Sequence, residues 1–188
     1  MKNKLYIYGD SFSTNYSTDD SHVDKEFSWP YLLRDKLELE IIDQGHAGIS
    51  NQGLLQMIYR NFNPKDAHTV IIGLTFFNRT YDFYKNGGVD ILHNTKEQLL
   101  EKGIFDYEID FYTKRLEDED GYKRYLEQLL EQYLFIFKIM KQFNINFHFW
   151  CLDSLKGIHA FDVMKKEYRE HFIPNPNGED AWFKPFID

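Results

Sequence analysis

Short apolar runs alternate along the chain with longer stretches in which apolar residues recur every three or four positions. Leu5-Tyr6-Ile7-Tyr8 reads as a strand stopped by Gly9. Ser28-Trp29-Pro30 opens a helix, with Ser28 as its cap, Pro30 in the first turn, and an apolar face of Tyr31, Leu32, Leu33 and Leu37. Leu39-Glu40-Ile41-Ile42 is a second strand. Asn51 to Asn61 carries Leu54, Leu55, Ile58 and Tyr59 at helical spacing. Thr69 to Leu74 is a third strand, apolar throughout, as a strand buried on both faces should be. From Tyr122 to Phe143 the apolar positions follow a period near 3.6, which predicts a long packed helix. Asn146 to Leu152 is a fourth strand.

Strand and helix in strict alternation imply right-handed crossovers and a parallel sheet covered by helices on both faces. The expected fold class is α/β: a three-layer α/β/α arrangement with a flavodoxin-like parallel sheet and an inserted helical segment around residues 80–120. That insertion holds Asn86-Gly87-Gly88, many aromatics, and the run Glu117-Asp118-Glu119-Asp120, which reads as a solvated loop leading into the long helix. In open sheets of this kind ligands bind beyond the carboxyl ends of the strands. Chemistry is therefore sought just after Tyr8, Asp43, Leu74 and Leu152.

Composition narrows the function classes. With 43% hydrophobic residues, 17 phenylalanines and 13 tyrosines, the 188-residue chain has material for one core, and a single domain over 1–188 is expected. The 22 basic and 30 acidic side chains, net charge −8, argue against a nucleic-acid partner, which would want a basic face. A single cysteine, Cys151, excludes an internal disulfide framework and a Cys-rich zinc site. His22, His46, His68, His93 and His148 are scattered without metal-ligand spacing, so neither metal nor cofactor is expected. His148 reads as a core or edge residue of the fourth strand and His171 as the end of a surface helix. The most apolar stretch, YLFIFKIM, is interrupted by Lys138, and the opening apolar run is only four residues long. No membrane span and no secretory signal are read, and a cytoplasmic location is expected.

The strand ends carry three motifs. After the first strand stands Gly9-Asp10-Ser11-Phe12-Ser13. A serine at a strand-to-helix turn can present its hydroxyl and aim its N–H at a developing oxyanion, although most serines at such turns are plain helix caps. After the second strand comes Asp43-Gln44-Gly45-His46-Ala47-Gly48-Ile49-Ser50-Asn51, where Gly48 can offer a bare N–H. The plainer reading is a loop in which Ser50 or Asn51 caps the next helix. After the third strand comes Gly73-Leu74-Thr75-Phe76-Phe77-Asn78-Arg79. The Asn78 amide donates without charge, as an oxyanion hole requires, but asparagine is also a common turn residue.

In this order and at these places the three motifs, with Trp29-Pro30-Tyr31-Leu32-Leu33 between the first two, resemble the SGNH (GDSL-type) hydrolase family. The resemblance covers residues 4–79 through its motifs and 122–152 through the helix-then-strand pattern. It implies hydrolysis of esters or thioesters through an acyl-serine, with Ser11 as nucleophile. Ser11 N–H, Gly48 N–H and the Asn78 side chain would form the oxyanion hole, with Thr75 as the alternative to Asn78. The implied substrate is a small ester or an acylated carbohydrate.

The family's closing Asp-x-x-His is not found in the C-terminal part. Gly157-Ile158-His159 follows Lys156 where an aspartate would stand, which leaves His159 with Asp153 as a weak candidate pair. The segment from Glu179 to Asp188 ends without a fifth strand or a final helix. The expected domain therefore lacks that segment, either because the sequence continues beyond Asp188 or because the base has been lost. Three functional readings follow in order: a serine esterase, a non-catalytic ligand-binding domain of the same family, and a flavodoxin-like nucleotide binder with a phosphate at Ser11–Asn15.

Overall fold

The structure, a computed structural model, describes residues 3–10, 29–45, 49–77, 79–82, 87–90, 95–101, 103–153 and 155–175. Its elements are β1 (Lys4–Tyr8), α1 (Trp29–Leu37), β2 (Glu40–Asp43), α2 (Asn51–Asn61), β3 (Ala67–Leu74), β4 (Arg79–Asp82), β5 (Gly87–Asp90), α3 (Lys96–Glu101), α4 (Asp106–Glu117), α5 (Glu119–Gln142), β6 (Asn146–Cys151) and α6 (His159–Glu167). A 3-10 turn at Arg169–His171 follows.

β1, β2, β3 and β6 form one parallel sheet in the order β2-β1-β3-β6. The chain steps from β1 to β2 on one side and then returns to lay β3 on the other. The direction of winding reverses between β1 and β3, so the crevice of an open α/β sheet lies above those two strands. Side chains alternate across the sheet. Tyr6, Tyr8, Val70, Ile72, Phe147 and Phe149 face a thick layer built by α2, α5 and α6, while Leu5, Ile7, Ile71 and Trp150 face the layer of α1. Both faces are covered, which is why Leu5–Tyr8 of β1 and Val70–Leu74 of β3 run without a charged residue.

The structure corrects several expectations. α1 turns Trp29, Pro30 and Leu33 inward, whereas Leu32 and Leu37 are 52% and 41% exposed. Its expected cap, Ser28, lies outside the described residues. The insertion is not purely helical: β4 and β5 pair as an antiparallel hairpin before α3 and α4. Glu119 and Asp120 fall in the first turn of α5, where carboxylates complement the positive end of the helix, rather than in a loop. Phe143 ends α5 on the exposed side. His171 does end a short 3-10 helix but is half-buried there: its ring stacks on Phe147 at 4.0 Å, and its Nδ1–H donates to the Phe147 carbonyl at 2.7 Å. Beyond it, Phe172 forms a parallel bridge with Phe149, and Ile173 N–H donates to the Phe149 carbonyl at 2.8 Å. The beginning of a fifth strand thus lies beside β6.

Candidate active site

Ser11, Gly48 and Asn78 lie outside the described residues, as do Ser13 and His46. The residues on either side of them define the surroundings. At the end of β1, Asp10 is buried, and its Oδ2 accepts a hydrogen bond from the Thr75 hydroxyl at 2.7 Å. The same oxygen accepts from Arg79 Nη1 at 3.1 Å, and Nη1 also donates to Thr75 Oγ1 at 2.7 Å. Carboxylate, hydroxyl and guanidinium close a triangle across the β1/β3 crevice. The side chains of Asp10 and Arg79 are only 2% and 15% exposed, and the guanidinium sits 5.0 Å above the Phe76 ring. Charge-assisted hydrogen bonds of this kind are about twice as strong as neutral ones.

Thr75 is therefore not a spare oxyanion donor. Its proton is directed to Asp10 and its oxygen accepts from Arg79, which corrects its reading as the alternative to Asn78.

The glycine loop after β2 is tied to the end of β3 by Asn51. The Asn51 Oδ1 accepts from Thr75 N–H at 2.8 Å, and its Nδ2 donates to the Thr75 carbonyl at 2.8 Å. The side chain imitates one rung of a β-ladder. Ser50, not Asn51, caps α2, accepting from Gly53 N–H at 3.1 Å. From the long helix α5, the Tyr133 hydroxyl donates to the Asn51 carbonyl at 2.7 Å, and burial raises that phenol well above its ordinary range.

After β6, Asp153 Oδ2 accepts from Phe77 N–H at 2.7 Å. Tyr122, at the start of α5, is raised by burial, and the Asp153 carboxylate adds to that rise. The pairing of Asp153 with His159 is not formed. His159 is the first residue of α6 and is exposed, and its backbone N–H donates to Glu127 Oε1 at 2.6 Å. Glu127 Oε2 accepts from Ala160 N–H at 2.7 Å, so a single carboxylate of α5 caps α6. None of the four described histidines, His68, His148, His159 and His171, hydrogen-bonds to Asp10, Thr75, Arg79 or Asp153.

Three solved structures resemble the chain over most of its length. A protein of the G-D-S-L family from Desulfitobacterium hafniense is 14% identical, with 89% of this chain and 70% of that one covered and a TM-score of 0.39. The psychrotrophic esterase EstA from Pseudoalteromonas sp. is 14% identical over 91% and 76%, with a TM-score of 0.43. A lipase from a goat rumen metagenome is 12% identical over 90% and 73%, with a TM-score of 0.42. No protein-family model and no curated protein matches the chain. At these identities and TM-scores, the role of each residue rests on the chain's own geometry.

Proposed function

We propose that this chain is a serine hydrolase acting on ester bonds within a single domain. The observation that carries the reading is the closed Asp10–Thr75–Arg79 triangle. It joins the residue before Ser11 to the residue after Asn78, directly above the β1/β3 crevice where an open parallel sheet binds its ligand. The Ser11 oxygen attacks the ester carbonyl, its proton passing to a base, and the carbonyl oxygen gains the negative charge. Ser11 N–H, Gly48 N–H and the Asn78 amide hold that charge, since donors fixed before the reaction stabilise it without reorganising. The alkoxide leaves with the proton, and water then releases the acyl group from Ser11 by the reverse sequence. The substrate class is a small ester or an acylated carbohydrate.

A second reading is a ligand-binding domain without catalysis, supported by the sequence, in which no Asp-x-x-His is found in the C-terminal part. The test is covalent labelling of the purified chain with a fluorophosphonate, mapped by mass spectrometry. The hydrolase reading expects one adduct, on Ser11, absent from Ser11→Ala. A folded chain that takes up no label refutes it and leaves the binding domain.

A further inference from the structure

We propose that Arg79 is a positioning residue, which through Asp10 and Thr75 sets the separation between Ser11 and Asn78. The inference rests on the hydrolase reading above and adds to it the part that fixes the geometry. Ser11 follows Asp10 directly, and Asn78 precedes Arg79 directly. The two residues assigned to attack and to charge stabilisation are each one peptide away from an end of the same buried ion pair.

The loop that carries Asn78 is held from three neighbouring elements. Asn51 of α2 grips Thr75 by two hydrogen bonds, Asp153 after β6 grips Phe77 N–H, and Asp10 after β1 grips Arg79. Phe77 and Arg79, the described residues next to Asn78 in sequence, are thus each held, one by its amide and the other by its guanidinium. Arginine suits the second role because its planar fork has a fixed direction. One nitrogen meets both Asp10 and Thr75 while the flat group rests on Phe76. A lysine ammonium keeps the charge but has no flat face to rest on that ring.

The test compares full-length wild type, Arg79→Met and Arg79→Lys with p-nitrophenyl acetate as substrate, alongside the rate of Ser11 labelling by fluorophosphonate. Misplacing reacting groups by about 1 Å costs about 100-fold in rate. The expectation is that Arg79→Met lowers kcat and the labelling rate by about that factor with KM little changed, and that Arg79→Lys recovers part of both. A kcat that stays at the wild-type level, or a loss confined to KM, overturns the inference while labelled wild-type Ser11 keeps the hydrolase reading. Wild type that is folded but unlabelled ends both together. If Arg79→Met does not fold, Arg79→Gln keeps a planar amide at that position and removes the charge and the ion pair with Asp10. A kcat loss at constant KM in that variant supports the inference, and unchanged kinetics overturn it.

Discussion

Truncating Asn51 to alanine removes the two hydrogen bonds that bind the glycine-loop end to β3. Thr75 is fully buried, so its N–H and carbonyl lose their partners with no water to replace them. A buried polar group left unsatisfied costs about 1–3 kcal/mol, and two such groups put the loss at about 4 kcal/mol. The Tyr133 hydroxyl binds the main-chain carbonyl of Asn51, so that bond survives the truncation and does not enter the figure. Urea unfolding followed by tryptophan fluorescence reads the loss well, because Trp29 and Trp150 pack edge to face at 5.4 Å in the opposite layer. With a slope of about 2 kcal/mol/M, the midpoint should fall by about 2 M at unchanged slope. Asn51→Asp keeps an acceptor for the Thr75 N–H and sets a carboxylate oxygen against its carbonyl, so it should not restore the wild-type midpoint. A loss below about 1 kcal/mol in Asn51→Ala would mean that both Thr75 groups find other partners. The account of Asn51 as the tie between the two strand ends would then be wrong.

Two further predictions concern the core and pH. The Tyr8 hydroxyl is buried without a hydrogen-bond partner among the described residues, and burial raises its phenol pKa. Tyr8→Phe should therefore stabilise the fold by about 1 kcal/mol and raise the melting temperature by about 2–4 °C in calorimetry; a fall would show that the hydroxyl is satisfied. Burial, with a smaller contribution from His171, lowers the His148 pKa below its ordinary 6.5. The unfolded chain then takes up a proton there before the folded one, so stability is complete above about pH 6.5 and declines as the pH falls below it. Urea midpoints at pH 7.5 and 5.5 should differ less in His148→Gln than in wild type, and an unchanged difference would refute this assignment.

The parts legible in sequence are those whose signal is local. β3 and α5 announce themselves because a strand covered on both sides is apolar at each step and a packed helix repeats near 3.6. α1 misled because its nine residues cover only a small patch, so Leu32 and Leu37 are apolar without being inward. The β4–β5 hairpin went unseen because Arg79–Asp82 and Gly87–Asp90 are short and do not alternate apolar with polar residues. In the site, the Arg79 partner of Asp10 stands 69 residues away, and in sequence Arg79 is only the residue that follows Asn78. The sheet order was the available signal: once β1 and β3 are neighbours, one acidic and one basic residue just past their ends invite pairing. Asn51 gave no periodic sign at all. The Asp-x-x-His spacing sought near the C-terminus does occur earlier, at Asp19–His22, Asp43–His46 and Asp90–His93, with all three histidines outside the described residues.

The parallel sheet also dictates an order of events during synthesis. Each rung joins partners far apart in the chain: Leu5 stands opposite Thr69, and Thr69 opposite Asn146. β3 has apolar faces and two ladder edges, and the second edge is closed only when β6 has been made. The 77 residues between Thr69 and Asn146 take about 4–15 s to polymerise at about 5–20 residues per second. For that interval the nascent chain carries a ready template for pairing with another strand. α2, which is made just before β3 and packs Leu54, Leu55 and Ile58 in the same layer as Val70 and Ile72, is the element available to shield one face of it meanwhile.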